Sequence, residues 1–210
     1  MTRRQAQSPR AGVEVAMGQS APSMMRRPHL LGIDDAPFKK GQAGPVPVTG
    51  VLMEGSDLVE GIAITHFPVD GADATRFLEK WIGSLRWRSA IQGVVLGGIT
   101  LAGLGLVDLE ALAQAIDIPV LAVTRRSPAA TRIREALVAA GLTGRQPIAD
   151  RSPPAVRVAP GLFLAFAGTT ADRAAGLIHA ALRKSRMPEP LRIAHLIGSA
   201  LERGQSRGRV

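Results

Sequence analysis

Two short apolar runs, residues 94–96 and 119–123, stand on either side of a helix-length segment at 107–116, and this alternation constrains the fold more than any other feature of the chain. Runs so short and so apolar read as strands buried on both faces, the condition of a parallel sheet. Parallel neighbours cannot be joined by a tight hairpin and need a helical crossover. Upstream the pattern differs. Residues 30–33 form an apolar strand that ends in Asp34-Asp35 and the turn Ala36-Pro37, while 46–53 and 59–67 alternate, with Glu54-Gly55-Ser56-Asp57 as the turn between them. Three successive strands with such a turn predict an antiparallel meander. Phe77, Leu78, Trp81, Ile82 and Leu85 recur at helical spacing within 73–85.

Downstream, Ser127 caps and Pro128 opens a helix that runs to Ala140 and stops at Gly141. Residues 144–160 are rich in Pro and Arg and read as a loop with an edge strand at 155–158; 162–166 is a further short strand. Thr170 caps a helix to Arg183, and 188–202 is a last helix with Leu191, Ala194, His195, Ile197 and Leu201 towards one side. The expected fold is α/β, and three antiparallel strands followed by parallel strands with crossover helices is the element order of a ribonuclease H-like mixed sheet, one candidate among several mixed α/β folds.

The formal charge of +9 suggests a nucleic-acid partner until it is divided along the chain. Residues 1–30 net +4 and residues 183–210 net +5, so the middle is neutral. We expect a disordered tail at 1–26, a single domain at 27–204 and a flexible end at 205–210, with Met24 and Met25 as alternative starts. The longest charge-free apolar stretch, 91–107, is broken by five Gly, so no membrane span is expected and the protein is expected in the cytoplasm. The absence of Cys excludes thiol catalysis and thiolate metal sites.

Asp34 is the leading candidate for chemistry. A carboxylate at the end of a central strand, beside a second carboxylate and a turn, is placed to hold a divalent cation; the alternative is that it bonds turn amides. Asp73 is the natural N-cap of the following helix. Gly97-Gly98-Ile99-Thr100 lacks the Gly-Lys-Ser/Thr and Gly-x-Gly-x-x-Gly registers of nucleotide loops, which leaves Thr100 as a hydrogen-bond donor to a ligand. Arg125 and Arg126 end a strand whose carboxyl edge would share a crevice with Asp34 and Gly97. His195, on the apolar side of the last helix, reads as a core histidine unless a carboxylate meets it.

Four ordered segments carry a family resemblance: Leu31-Gly32-Ile33-Asp34-Asp35-Ala36-Pro37-Phe38, Val69-Asp70-Gly71-Ala72-Asp73-Ala74-Thr75, Gly98-Ile99-Thr100-Leu101-Ala102-Gly103, and Pro188-Glu189-Pro190-Leu191-Arg192-Ile193-Ala194-His195-Leu196-Ile197. They resemble the prokaryotic family known as domain of unknown function ninety-nine, itself similar to endonuclease V, a ribonuclease H-like enzyme that cuts nucleic acid near deaminated bases with divalent metal. The resemblance implies Asp34, Asp73 and His195 as ligands of Mg²⁺ or Mn²⁺. It implies catalytic roles for Asp34, Asp73 and Arg125, and nucleic-acid contacts for Thr100, Arg125, Arg126 and Arg192, with no organic cofactor. It also shows departures: Gly97 stands where the enzymes carry an Asp, and the chain has no Tyr to serve as a base wedge. Three functions follow as expectations: a metal-dependent nucleic-acid phosphodiesterase with a depleted acidic centre, a non-catalytic nucleic-acid-binding protein on the same scaffold, or a small-molecule enzyme in the strand-end crevice.

Overall fold

The computed structural model describes residues 27–39, 41–42, 44–126 and 130–207. The strand that carries the acidic pair, β1 (His29–Asp35), lies inside the sheet with Leu30, Leu31 and Ile33 buried. β2 (Pro45–Glu54) pairs antiparallel with β1, and β3 (Leu58–Pro68) pairs antiparallel with β2 to form the sheet edge. The crossover helix α1 (Ala74–Ser84) leads to β4 (Gly93–Leu96), parallel to β1. A small ribbon of β5 (Thr100–Leu101) and β6 (Gly105–Leu106) then precedes α2 (Leu109–Ile116) and β7 (Val120–Thr124), parallel to β4. After α3 (Ala130–Ala139) and α4 (Gln146–Asp150), the hairpin β8 (Val156–Ala159) and β9 (Leu162–Ala167) adds antiparallel to β7. Helices α5 (Ala171–Ala181) and α6 (Glu189–Arg203) finish the fold. The seven strands lie in the order β3-β2-β1-β4-β7-β9-β8, the mixed α/β architecture expected.

Strand alternation assigns the two faces. Leu31, Ile33, Val94, Val120 and Ala122 pack with Leu78 and Ile82 of α1 and Leu109 and Leu112 of α2. Leu30, Val95, Leu121 and Val123 pack instead with Leu177 and Ile178 of α5 and Leu191 of α6. Asp34, Gly97 and Arg125 continue this second set by parity, so three residues far apart in sequence share one face and one edge.

Several local expectations change. Residues 144–160 contain a helical turn, α4, which begins with Pro147 in its first turn. The helix expected from 107 starts at Leu109, because Asp108 is its cap and accepts the Ala111 N–H. Asp73 holds the N-cap position of α1, but its backbone is left-handed (φ 54) and its side chain caps nothing. The expected Ser127 cap, the tail at 1–26 and residues 208–210 lie outside the described residues.

Candidate active site

α6 sits directly on β1 because Gly32 has no side chain. A Cβ there would lie 2.6 Å from the carbonyl oxygen of Pro190 and closer still to the backbone of Pro190 and Leu191. A second contact repeats this seven residues along the helix, where a Cβ on Gly198 would meet Ala36 Cα at 3.2 Å. Gly32, Asp34 and Ala36 share a face of the strand, and Leu191, His195 and Gly198 share a face of the helix, since periods of 2 and 3.6 bring these sets into line. Between the two close contacts the imidazole of His195 reaches Asp34, with Nδ1 2.7 Å from Oδ2.

An ionised carboxylate only accepts, so Nδ1–H donates and Nε2 is left as the free ring nitrogen. The hydrogen bond to Asp34 raises the His195 pKa above the ordinary imidazole value. Burial opposes this, the Asp34 charge adds to it, and the positive Arg125 works against it. Asp35, pointing to the opposite face, is raised to about 6, chiefly by burial and then by the Asp34 charge; the backbone N–H of Ala102 and the nearby His195 pull it back.

These groups open into a cavity of about 740 Å³. Val123, Met187 and Leu191 form its apolar wall, while Asp34, Thr124, Arg125, Arg126 and His195 supply the polar one. The two arginines are exposed at the mouth, and Thr124 Oγ1 donates to the Arg126 carbonyl, closing the turn that carries them.

Of the residues singled out in the sequence, the structure brings together Asp34, His195, Arg125 and Arg126. Asp73 stands exposed at the start of α1, the helix that packs on the other face of the sheet, and joins no three-ligand group with Asp34 and His195. Thr100 pairs with Leu106 in the ribbon and does not line the cavity. Arg192 is engaged by the buried Glu189, which accepts from its Nε and Nη2 at 2.6 to 3.0 Å. Sequence reading missed Glu189 as that anchor, although the i, i+3 spacing to Arg192 was its signal. Met187 and Leu191 carried no signal beyond apolarity.

The donor set suits one divalent ion better than two. A Cβ at Gly97 would approach Asp34 Oδ1 to 3.2 Å, so the missing side chain leaves room beside that oxygen. Directly across the ladder from Asp34, the hydroxyl of Thr49 is buried without a partner on the same face. One carboxylate, one imidazole and solvent or substrate oxygens can complete a six-coordinate shell. A paired-ion centre needs bridging carboxylates, and glycine at 97 supplies none.

The family model described as endonuclease dU matches residues 26–202. A UPF0215 protein of Methanothermobacter thermautotrophicus is 33% identical over 183 residues, covering 85% of this chain and 90% of its own. One from Archaeoglobus fulgidus is 34% identical over 186 residues, covering 88% and 99%. Among solved structures, a protein of unknown function from Archaeoglobus fulgidus superposes with a TM-score of 0.76 at 33% identity, covering 83% of this chain and 98% of its own. Endonuclease V of Ciona intestinalis, solved with a 24mer DNA containing an inosine followed by a ribo-adenosine, gives a TM-score of 0.50 at 14% identity over 82% of this chain and 84% of its own, a likeness of fold.

Proposed function

The chain belongs to the endonuclease dU family, and on that premise we propose that it is a divalent-metal-dependent endonuclease that cuts DNA at deaminated bases, deoxyuridine first among them. The observation that carries this reading is the Asp34–His195 pair at the carboxyl ends of three parallel strands, facing a cavity with two arginines at its mouth. Asp34 and His195 would hold one Mg²⁺ or Mn²⁺, which when bound neutralises charge on the scissile phosphate and lowers the pKa of an attacking water.

The remaining roles fall to the protein. Arg125 and Arg126 are the phosphate contacts, placed where a backbone crossing the strand ends would run. Asp34 bonds Nδ1, and for the two groups to share one ion the imidazole would turn to offer it a ring nitrogen. Because the His195 pKa is raised, protons compete for that nitrogen, and ligand binding there strengthens as pH rises. The cavity volume suits one extruded nucleotide, with Val123, Met187 and Leu191 excluding water from its floor. Among the described residues no aromatic lines it, so on this reading recognition rests on shape and hydrogen bonds rather than stacking.

The test is incubation with duplex and single-stranded DNA containing deoxyuridine or inosine, with Mn²⁺, Mg²⁺ or chelator. Nicking of deoxyuridine DNA that requires the ion and drops at least 100-fold in Asp34→Ala is expected. Binding without nicking in every condition would replace this reading with that of a non-catalytic binding protein, which glycine at position 97 favours.

A further inference from the structure

A second set of ligating side chains lies at the opposite end of β1. His29 opens that strand, Glu54 closes β2, and Glu60 lies near the start of β3. One ligand atom from each lies within 4.8 Å of the other two, the sole such trio among the described residues. We propose that His29, Glu54 and Glu60 form a binding site for a transition-metal dication of the Zn²⁺ class, clasping the three neighbouring strands of the meander.

The backbone builds this site through a break in the ladder. Leu52 pairs with Gly61 and Met53 with Val59, so Glu60 is an extra residue that the ladder leaves unpaired. A bulge turns its side chain out of the regular alternation, and Glu60 Oε2 lies 2.9 Å from His29 Nε2. His29 and Glu54 are direct cross-strand partners, so their side chains leave the sheet on the same face. The His29 backbone is itself held from both sides, since its N–H donates to Gln92 Oε1 and its carbonyl accepts the Gln92 N–H, each at 2.9 Å.

Charge adds an independent argument. Glu54, Asp57 and Glu60 bring three negative charges to this end of the sheet, and among the described residues Arg27 is the one guanidinium paired with them, at 3.2 Å from Glu54 Oε1 and 2.7 Å from Asp57. Among the described residues these three carboxylates and one guanidinium are two charges short of balance, the charge of one dication. One imidazole and two carboxylates match the nitrogen and oxygen donors of Zn²⁺, with a fourth position for water. Tetrahedral ligands at about 2.1 Å sit roughly 3.3 Å apart, so the trio closes with small rotations, and Arg27 keeps one oxygen of Glu54 while the other turns to the ion.

This site is separate from the catalytic crevice. His29 and Asp34 are five residues apart on β1, about 17 Å at strand spacing, and they project to opposite faces. No single ion serves both.

The experiment counts zinc in the purified full chain after dialysis against ZnCl₂ and then buffer, and follows Tm with added ZnCl₂. It compares wild type, Asp34→Ala, His29→Asn and Glu60→Gln. One zinc per chain in wild type and Asp34→Ala, with a Tm rise in both, is expected; His29→Asn and Glu60→Gln should each lose the zinc and the rise while keeping a cooperative transition. Zinc loss in Asp34→Ala, retention in both His29→Asn and Glu60→Gln, or no zinc in any protein would overturn the proposal. If a variant fails to fold, wild-type zinc content and the ultraviolet charge-transfer bands of Co²⁺-loaded wild type decide it: absent Co²⁺ binding overturns it. Because Asp34→Ala removes the crevice ligand, a failed nuclease assay and a failed zinc count remain distinguishable.

Discussion

Replacing Gly32 by Ala tests whether the seating of α6 on β1 creates the site. The new methyl group would stand 2.6 Å from the Pro190 carbonyl oxygen, and ordinary contact begins near 3.4 Å. The first turn of α6 must therefore retreat by about 0.8 Å, and more to clear the closer backbone atoms, because neither partner is a flexible side chain. Overpacking of this kind costs about 1–3 kcal/mol. Carried along a rigid helix by one turn, the same retreat lengthens the 2.7 Å contact between Asp34 and His195 to about 3.5 Å, the limit at which a hydrogen bond ceases to count. Urea unfolding measures the first effect. NMR titration of the histidine ring protons measures the second, since a broken bond returns His195 towards its ordinary pKa. Gly198→Ala, where the intruding Cβ meets Ala36 at 3.2 Å, should show a smaller version of both. A Gly32→Ala protein within about 0.5 kcal/mol of wild type, with an unchanged His195 titration, would refute the reasoning, because α6 would then owe its position to other contacts.

Asp34→Asn removes the largest cause of the raised His195 pKa, so the His195 titration should move down; an unmoved midpoint would show that the hydrogen bond is not what sets it. That pKa lies above its unfolded value near 6.5, so the contact stabilises fully below pH 6.5 and is lost as pH rises through the folded value, a slope that Asp34→Asn should flatten in unfolding measured from pH 6 to 9. Asp35, raised from 3.8 to about 6, acts in the same direction at lower pH: its proton-linked stability is present below pH 3.8 and lost as pH rises through 6. Asp35→Asn should abolish that dependence, a difference of roughly 3 kcal/mol at most between the ends of the window. Arg192→Ala leaves the carboxylate of Glu189, 4% exposed, without its counter-charge and should cost about 3–5 kcal/mol of stability. Arg125→Ala should change stability by less than about 0.5 kcal/mol and instead reduce the salt slope of DNA binding by about one; equal effects of the two variants on stability would contradict the division of roles.

The sheet was legible where burial is two-sided. Residues 94–96 and 119–123 are apolar on both faces because helices cover both, and no other element type explains runs so short. The orientation of β9 was not legible, since an apolar run such as Leu162–Ala167 looks the same in either direction and pairing alone turns it antiparallel to β7. Asp73 shows how a local signal fails: Asp before a helix suggests a cap, yet its left-handed backbone withdraws the side chain from the helix amides. α4 was hidden because Pro147 reads as a loop former, although proline is tolerated in a first turn. Asp34 and His195 were each visible as candidates, but their meeting depends on Gly32, whose meaning lies in a neighbour more than 150 positions away. Thr100 and Arg192 were read as ligand contacts from their motifs; the fold puts Thr100 in the ribbon, outside the cavity lining, and binds Arg192 to a buried carboxylate. The bulge at Glu60 has no sequence signature beyond an interrupted alternation.

The contact between Asp34 and His195 joins the first strand to the last helix across 161 positions. During synthesis, a nascent chain that has emerged as far as β9 holds Asp34 and both arginines but lacks the histidine and the Leu191 wall. On the proposed function, the site is complete only once the last helix has been made and seated on β1.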